Sequence, residues 1–544
     1  FISAFIGVDP HSGSNNIDHR TSEISLKELI VRRGQPFKFT LKLAKPFKLA
    51  LDELIMTVKT GDHPSEDLGT MSRFGVPDKV QRLPSAKAVW KAELQRSTAP
   101  ETGILTLSIT PSVDSPVGEY TMSARLGEEE RALANLSVLF NPWCPGRFLI
   151  SAQKLQKEYV MNEQGIIYKG VDNYIAPIHW DYGQFEQDMV SICVKILDCS
   201  IKHKQDPAKD VSARCNAIYV SRVITSMINS ENEGGILKGN WGNDFRGGVS
   251  PTHWSSSYPI LKNWFNACFC SVKYGQCWVF SGVMCSVMRL LGIPCRVITN
   301  YQSAHDTNKN LIIETYFADY GVREKENYHV WVEGWMRRPD LAKDGRYDGW
   351  QVLDPTPQEK SDGMFCCGPA PVSAVRNGDT HLKYDVPFVF AEVNADCITW
   401  LVKRDGSQVK IHSEDHRIGQ SISTKAIGTS KRMDITNSYK QKEGGRFFHI
   451  YIYFLIHFFL FHPDLIIPIL VPYSRYQKLM IDCESMNISA MVTDQRKKNH
   501  VFLAENRIVL MNPPIGHACC VEWAKIYRMA IYLEKKNVIF KNSV

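Results

Sequence analysis

The residue types best suited to chemistry converge on Tyr274-Gly275-Gln276-Cys277-Trp278. Beyond Cys277, Phe280, Val283, Met284, Val287, Met288 and Leu291 recur at helical spacing, and Gly292-Ile293-Pro294 supplies a stop. Cys277 is therefore expected at the first turn of a buried helix, where free N–H groups and the positive end of the macrodipole favour a thiolate. His329 lies 52 residues further on, in an alternating strand that puts His329, Trp331 and Glu333 on one face. Asp354 follows 25 residues later and ends the strand-like Trp350-Gln351-Val352-Leu353. A helix-borne thiol, then an imidazole and a carboxylate on successive strands, is the layout of a nucleophilic triad. The thiolate attacks an acyl carbon, the imidazole moves the proton and the carboxylate holds the tautomer. Spacing alone leaves the plainer alternative open, because most cysteines that open a helix and most histidines on a strand are packed core residues. A second pattern, Asp306-x-Asn308-x-Asn310, offers side-chain oxygens at alternate loop positions, suited to a hard cation, with Ile312 able to add a carbonyl. An Asx-rich turn would use the same residues.

These residues need elements to hold them, and 544 residues are too many for one core; at roughly 100–200 residues per domain the chain should form three to five units. With 44% apolar, 22% charged and 11% aromatic residues the composition is globular and excludes a mainly disordered chain. The net charge of +7 is spread thinly, without a long basic block, so no nucleic-acid partner is expected. Fifteen cysteines are an odd number and too sparse for a disulfide scaffold, which points to mostly free thiols in a reducing compartment. The chain opens on Phe1 without Met and is read as a fragment; Phe1–Val8 is too short for a signal peptide.

Residues 1–140 alternate with period two. Phe37, Phe39, Leu41 and Leu43 share a face, as do Leu105, Leu107 and Ile109, then Tyr120, Met122, Ala124 and Leu126, then Leu136, Val138 and Phe140. Gly and Pro punctuate these runs, which predicts an antiparallel β-sandwich. From Asn141 the pattern mixes helix and strand: Phe185, Met189, Ile192, Cys193, Ile196 and Leu197 have helical spacing, and short strands are expected at Cys295–Thr299, Tyr328–Val332 and Trp350–Leu353. Residues 141–446 thus read as one α+β domain. Phe447–Pro472 is anomalous: its apolar run reaches only 15 residues before polar residues and Pro break it, short of the roughly 20 a membrane helix needs. No membrane span is expected there. Residues 473–515 return to β-like patterning, and 516–544 remain unassigned.

The motifs YGQCWVFSGVMCSVMRLLGIPCRVITNYQSAHD, NYHVWVEGWMRRPDL and GWQVLDPTPQEKSDGMFCCGP strongly resemble the animal transglutaminases, nearest the tissue and keratinocyte types. The resemblance runs from about Ile24 to Glu443, and VLFNPWC and FAEVNAD extend it. It implies an N-terminal immunoglobulin-like β-sandwich, a papain-like α+β core and C-terminal β-barrels. It also implies Ca²⁺-dependent acyl transfer from a protein glutamine to a lysine ε-amine or polyamine, with release of ammonia; water as acceptor gives deamidation. Cys277 would be the nucleophile, His329 the general base and acid, and Asp354 its orienter. Trp241 in GNWGND matches the family tryptophan whose indole N–H helps hold the oxyanion beside the Cys277 N–H; such donors are worth roughly 3 kcal/mol each. Glu326 would close the Ca²⁺ site of Asp306, Asn308, Asn310 and Ile312. A second site falls on the Ser226 and Asn229 carbonyls with Glu231 and Glu233, where the family more often has Asn and Asp. A third would use Asn394 and Glu443, but its next acid is lost in the apolar run. The implied location is cytoplasmic, with extracellular presence by a route without a signal peptide as the second expectation.

Three departures qualify that picture. The family tryptophan three residues before the histidine is absent, because Glu326 stands there, so acceptor use and turnover are both in question. Cys366 and Cys367 resemble a redox-sensitive vicinal pair, but the usual third cysteine aligns with Ser230, so two free thiols are the expectation. Only remnants of the barrels are recognisable, in YSRYQKLMIDCESMNISAMV and LAENRIVLMNPP. The insert 447–472 is read as a translated intron or faulty gene model. Two further readings therefore stay open, a catalytically impaired scaffold and a thiol protease.

Overall fold

The computed structural model describes residues 3–144, 153–171, 174–232, 234–306, 311–318, 328–403 and 406–441, together with five short strands between 479 and 519. They fall into two units. The first comprises residues 1–303, 326–389 and 420–436; the second takes 304–325, 390–419 and 437–544.

The first unit begins with a two-sheet sandwich. Strands β1 (Phe5–Asp9), β3 (Phe37–Leu43), β7 (Ile104–Thr110) and β6 (Lys91–Leu94) form one sheet in the order β1-β3-β7-β6. Strands β2 (Leu29–Arg32), β9 (Glu129–Leu139), β8 (Gly118–Leu126), β4 (Leu54–Lys59) and β5 (Met71–Val76) form the other, in that order. The alternating residues face inward as their period requires: Phe39, Leu41, Leu105, Leu107 and Ile109 are fully buried, and Met122, Ala124, Leu136 and Val138 pack with them. The sandwich is not wholly antiparallel. β2 pairs with β9 in parallel, Leu29 opposite Leu136, which is possible because the two strands are far apart in sequence and not joined by a hairpin.

The α+β core follows. A hairpin of β10 (Gln164–Val171) and β11 (Tyr174–Asp181) precedes the helices Met189–Asp198 and Ala217–Ile228. The first helix starts later than its apolar spacing suggests: Phe185 lies in the turn before it, while Met189, Ile192, Cys193, Ile196 and Leu197 fill its buried face. Short parallel strands β12 (Leu237–Gly239) and β13 (Val272–Gly275) lead to the central helix Cys277–Leu291, all fifteen residues of which are buried. Around it lies a sheet in the order β20-β17-β16-β14-β23-β24. Its strands are β14 (Cys295–Asn300), β16 (His329–Met336), β17 (Gly349–Asp354), β20 (Cys367–Pro371), β23 (Ile422–Lys425) and β24 (Arg432–Asp434). The three strands expected from sequence are β14, one residue longer at its end, β17, one residue longer at each end, and β16, which starts one residue later and ends four residues later than expected.

The sandwich and the core share the junction where the central helix ends. Gly292 adopts the left-handed conformation (φ 90°) as its C-cap, the Leu291 carbonyl accepts from the Phe140 N–H at 3.0 Å, and Arg32 reaches the Phe140 carbonyl at 2.9 Å. In the second unit β15 (Ile312–Ala318), β21 (Asp396–Val402) and β22 (Gln408–Glu414) form a sheet, β15 and β21 in parallel. Beyond residue 478 there is a hairpin, Leu479–Cys483 with Ile488–Val492, and a three-stranded antiparallel set, His500–Ala504, Arg507–Met511 and Ala518–Cys519. The apolar stretch 447–472 and the tail 520–544 lie outside the described residues. Among the described residues no helix is long and apolar enough to cross a membrane, and none of the twelve cysteines whose side chains are described is in a disulfide.

Candidate active site

Gln276 is extended (φ −135°, ψ 178°), and the chain turns helical at Cys277, so the thiol side chain stands on the first helical residue, 6% exposed. One turn on, the Ser281 hydroxyl donates to the Val330 carbonyl at 2.8 Å, which fixes the helix to β16 beside His329. Strands β16 and β17 pair antiparallel, Val332 opposite Leu353, so the first residue of one and the last residue of the other meet at the same sheet end. There His329 Nε2 and Asp354 Oδ2 are 2.6 Å apart.

The electrostatics follow from burial and these partners. Burial opposes a charged imidazole, but the Asp354 carboxylate and a hydrogen bond with Cys277 outweigh it and hold His329 well above the usual histidine range. Burial likewise opposes the Asp354 charge, yet His329, the Thr356 N–H and Gln358 keep this carboxyl below its usual value. With Nε2 taken by Asp354, Nδ1 is the ring nitrogen left for the thiol. The Asp354 Oδ1 atom accepts from the Thr356 N–H at 2.8 Å, so the carboxylate is held at both oxygens.

Trp241 lies in the loop after β12. The Asn240 N–H donates to the Gly275 carbonyl at 3.0 Å, and the Gln276 side-chain amide donates to the Asn240 carbonyl at 2.8 Å. The residues immediately before Cys277 thus clamp the residue immediately before Trp241. The indole is 56% exposed and lies parallel to the Phe280 ring, centroids 6.3 Å apart. Gly239 permits this, since a Cβ there would come within 2.4 Å of the indole. Cys277, His329, Asp354 and the Trp241 loop are thereby brought to one place.

Sequence reasoning missed four polar neighbours. Gln358 donates to Asp354 Oδ2 at 2.9 Å and lies 2.8 Å from His329 Nε2, and Gln276 carries the clamp just described. Tyr328 is raised above the usual tyrosine range by burial and by Cys277, and Lys169, whose ammonium is 4.0 Å from the centre of the Trp278 ring, interacts electrostatically with the same thiol. Only the sequence adjacency of Gln276 to Cys277 and of Tyr328 to His329 could have signalled two of them.

The expected cation ligands are placed unevenly. Asp306 is buried; its Oδ2 accepts from the Leu311 N–H at 2.8 Å and its Oδ1 has no hydrogen-bond partner among the described residues. A buried carboxylate oxygen left in this state fits a Ca²⁺ ligand. Ile312 opens β15 beside it, while Asn308, Asn310 and Glu326 lie outside the described residues. In the second set, the Ser226 carbonyl already accepts from Asn232 at 2.9 Å, and the Asn229 carbonyl is pressed against Gly235. Glu231 is exposed and Glu233 lies outside the described residues. Asn394 is buried at the end of the helix Val386–Asn394, and Glu443 lies outside the described residues. Cys366 and Cys367 are both buried and in no disulfide; the Cys366 thiol donates to the Ser361 carbonyl, and Cys367 pairs with Asp354 in the β17/β20 ladder.

Comparison with known proteins shows what the chain is similar to. Residues 6–127 match the N-terminal model of the transglutaminase family, and residues 261–355, which include Cys277, His329 and Asp354, match the core model of the transglutaminase-like superfamily. Human protein-glutamine gamma-glutamyltransferase 6 is 44% identical over 451 residues, covering 81% of this chain and 62% of that protein. Human protein-glutamine gamma-glutamyltransferase 2 is 42% identical over 443 residues, covering 79% and 63%. The crystal structure of red sea bream transglutaminase superposes with a TM-score of 0.73 at 39% identity, covering 81% of this chain and 66% of that one. The chain therefore spans a little over three fifths of the length of the curated relatives it matches. The chain thus carries the N-terminal and core domains of the transglutaminase family.

Proposed function

We propose that this chain is a calcium-dependent protein-glutamine gamma-glutamyltransferase that works through a Cys277 thioester. The observation that carries the reading is the connected set of Cys277 on the first turn of the central helix, His329 bonded to it, and Asp354 at 2.6 Å from His329. The sulfur attacks the carboxamide carbon of a substrate glutamine, and the oxyanion is taken by the Cys277 N–H and the Trp241 indole N–H. His329 then gives its proton to the departing nitrogen, so ammonia leaves and a thioester remains. A lysine ε-amine or polyamine attacks the thioester, His329 takes its proton, and an isopeptide bond forms as the thiol is restored. Asp354 keeps the imidazole oriented through both halves. Asp306, with Asn308, Asn310, the Ile312 carbonyl and Glu326, would hold Ca²⁺; the ion supplies charge compensation for the buried carboxylate and ties that loop.

Incorporation of a labelled primary amine into a glutamine-bearing protein tests this. The expected signal needs Ca²⁺ and disappears in Cys277→Ala. Amine incorporation that persists in Cys277→Ala, or is absent from the native chain with Ca²⁺, overturns the reading. The second outcome would favour a binding scaffold, the reading motivated by Glu326 standing where the family has tryptophan. Peptide cleavage exceeding amine incorporation would instead favour a thiol protease.

A further inference from the structure

Lys169 sits near the end of β10, opposite Ala176 in the hairpin. Its strand cannot drift from the core: the Tyr168 carbonyl accepts from the Thr299 hydroxyl at 2.7 Å, and the Tyr168 hydroxyl donates to the Ser430 carbonyl at 3.0 Å. The Lys169 ammonium is 4.0 Å from the centre of the Trp278 ring, on the residue next to Cys277. Burial pulls Lys169 below the usual lysine value, and the Cys277 thiol is the group whose charge acts against that pull. Among the described residues no carboxylate forms an ion pair with it.

A half-buried cation with no carboxylate partner among the described residues is costly to keep unless something uses it. The acyl-transfer chemistry does not. The reacting carboxamide is neutral, the oxyanion has its own two N–H donors, and the imidazolium already has Asp354. What an ammonium over an aromatic face beside the nucleophile does suit is an anion arriving with the substrate. We propose that Lys169 is a specificity-determining residue that favours glutamine donors carrying an aspartate or glutamate carboxylate next to the reactive glutamine. This deepens the transferase reading above and rests on it for the identity of the donor.

Two readouts separate the two claims. The first is alkylation of Cys277 by iodoacetate and by iodoacetamide, followed on the Cys277 peptide by mass spectrometry. The expected result is that Lys169→Gln lowers the iodoacetate-to-iodoacetamide rate ratio about threefold or more, and that Lys169→Glu lowers it further. Lys169→Arg, which keeps the charge, should retain most of the native ratio. The second readout is kcat/KM for paired donor peptides that differ only in Glu or Gln beside the reactive glutamine; the preference for the acidic peptide should fall in Lys169→Gln, mainly through KM. Equal slowing of both alkylating reagents means that Lys169 acts on the thiolate alone and overturns the proposal, as does an unchanged donor preference. A native chain that shows the alkylation preference but incorporates no amine keeps the anion site and loses the transferase reading.

Discussion

Replacing Asp354 with asparagine keeps the shape of the residue and removes the charge that holds His329 protonated. In the proposed mechanism the imidazolium is the acid that releases ammonia, so its titration would set the basic limb of the acylation profile. The sign is fixed by the geometry: a carboxylate at 2.6 Å raises the histidine, so Asp354→Asn should move the basic limb of kcat/KM to lower pH. It should also lower kcat by about 10³–10⁴-fold, the scale seen when a triad carboxylate is neutralised. A pH series of amine incorporation checks both, and a basic limb that stays in place would mean that Asp354 does not control the proton. The positions of Cys277, His329 and Asp354 were legible because each sits at an element boundary whose signals are local: a helix start, a strand start and a strand end. Gln358 and Lys169 were not, because their proximity to the thiol and imidazole depends on how β10 and the turn after β17 pack, which no local pattern encodes.

At the scale of elements, the central helix is positioned by its two ends, and its C-terminal end can be tested without touching the chemistry. Gly292 combines a left-handed φ with crowding: an added Cβ would lie 2.4 Å from the Phe140 carbonyl oxygen and 2.8 Å from the Arg32 guanidinium. Gly127, in the tight turn between β8 and β9, has a similar φ of 62° with nothing within 4 Å of an added Cβ. Ala at Gly127 should therefore cost only the backbone strain of about 1 kcal/mol, whereas Gly292→Ala should cost about 3 kcal/mol or more because backbone must also shift. Denaturant midpoints of the two variants measure the difference, and equal losses would mean that the helix end is not packed against Phe140. The stop itself was readable from Gly292-Ile293-Pro294. The parallel partner of β2 was not, since period-two alternation fixes which side chains face inward but not the direction of the neighbouring strand. Phe185 likewise matched the helical period yet lies before the helix, because apolar spacing continues into a packed turn as readily as into another helical residue.

Over the whole molecule, sandwich and core are joined through a buried arginine whose surroundings contain a proton switch. His19 Nδ1 accepts the Arg32 backbone N–H at 2.8 Å, its Nε2 side faces the Pro36 carbonyl at 3.2 Å, and the Arg32 side chain continues to the His19 and Phe140 carbonyls. The ring must therefore stay neutral, since a proton on Nδ1 would oppose the Arg32 N–H. Burial, with the nearby Arg32 charge adding to it against the pull of Pro36, lowers His19 to about 4. An unfolded histidine titrates near 6.5, so between about pH 6.5 and 4 the unfolded chain binds a proton that the folded chain refuses, and stability falls as the pH is lowered. The contribution amounts to about 3 kcal/mol by pH 4. His329 has the opposite sign, with its stabilisation intact below the unfolded value and lost only as pH rises through its raised folded value. The depressed carboxyls, Asp354 among them, lose their contribution only toward the acid end of the window. His19→Asn places an amide oxygen near the Nδ1 position and can accept the same N–H without titrating. The native chain should therefore lose stability relative to His19→Asn as pH drops from 6.5 toward 4, read as diverging denaturant midpoints. Parallel midpoints across that range would show that His19 is not held neutral, and that the sandwich–core junction does not sense the proton.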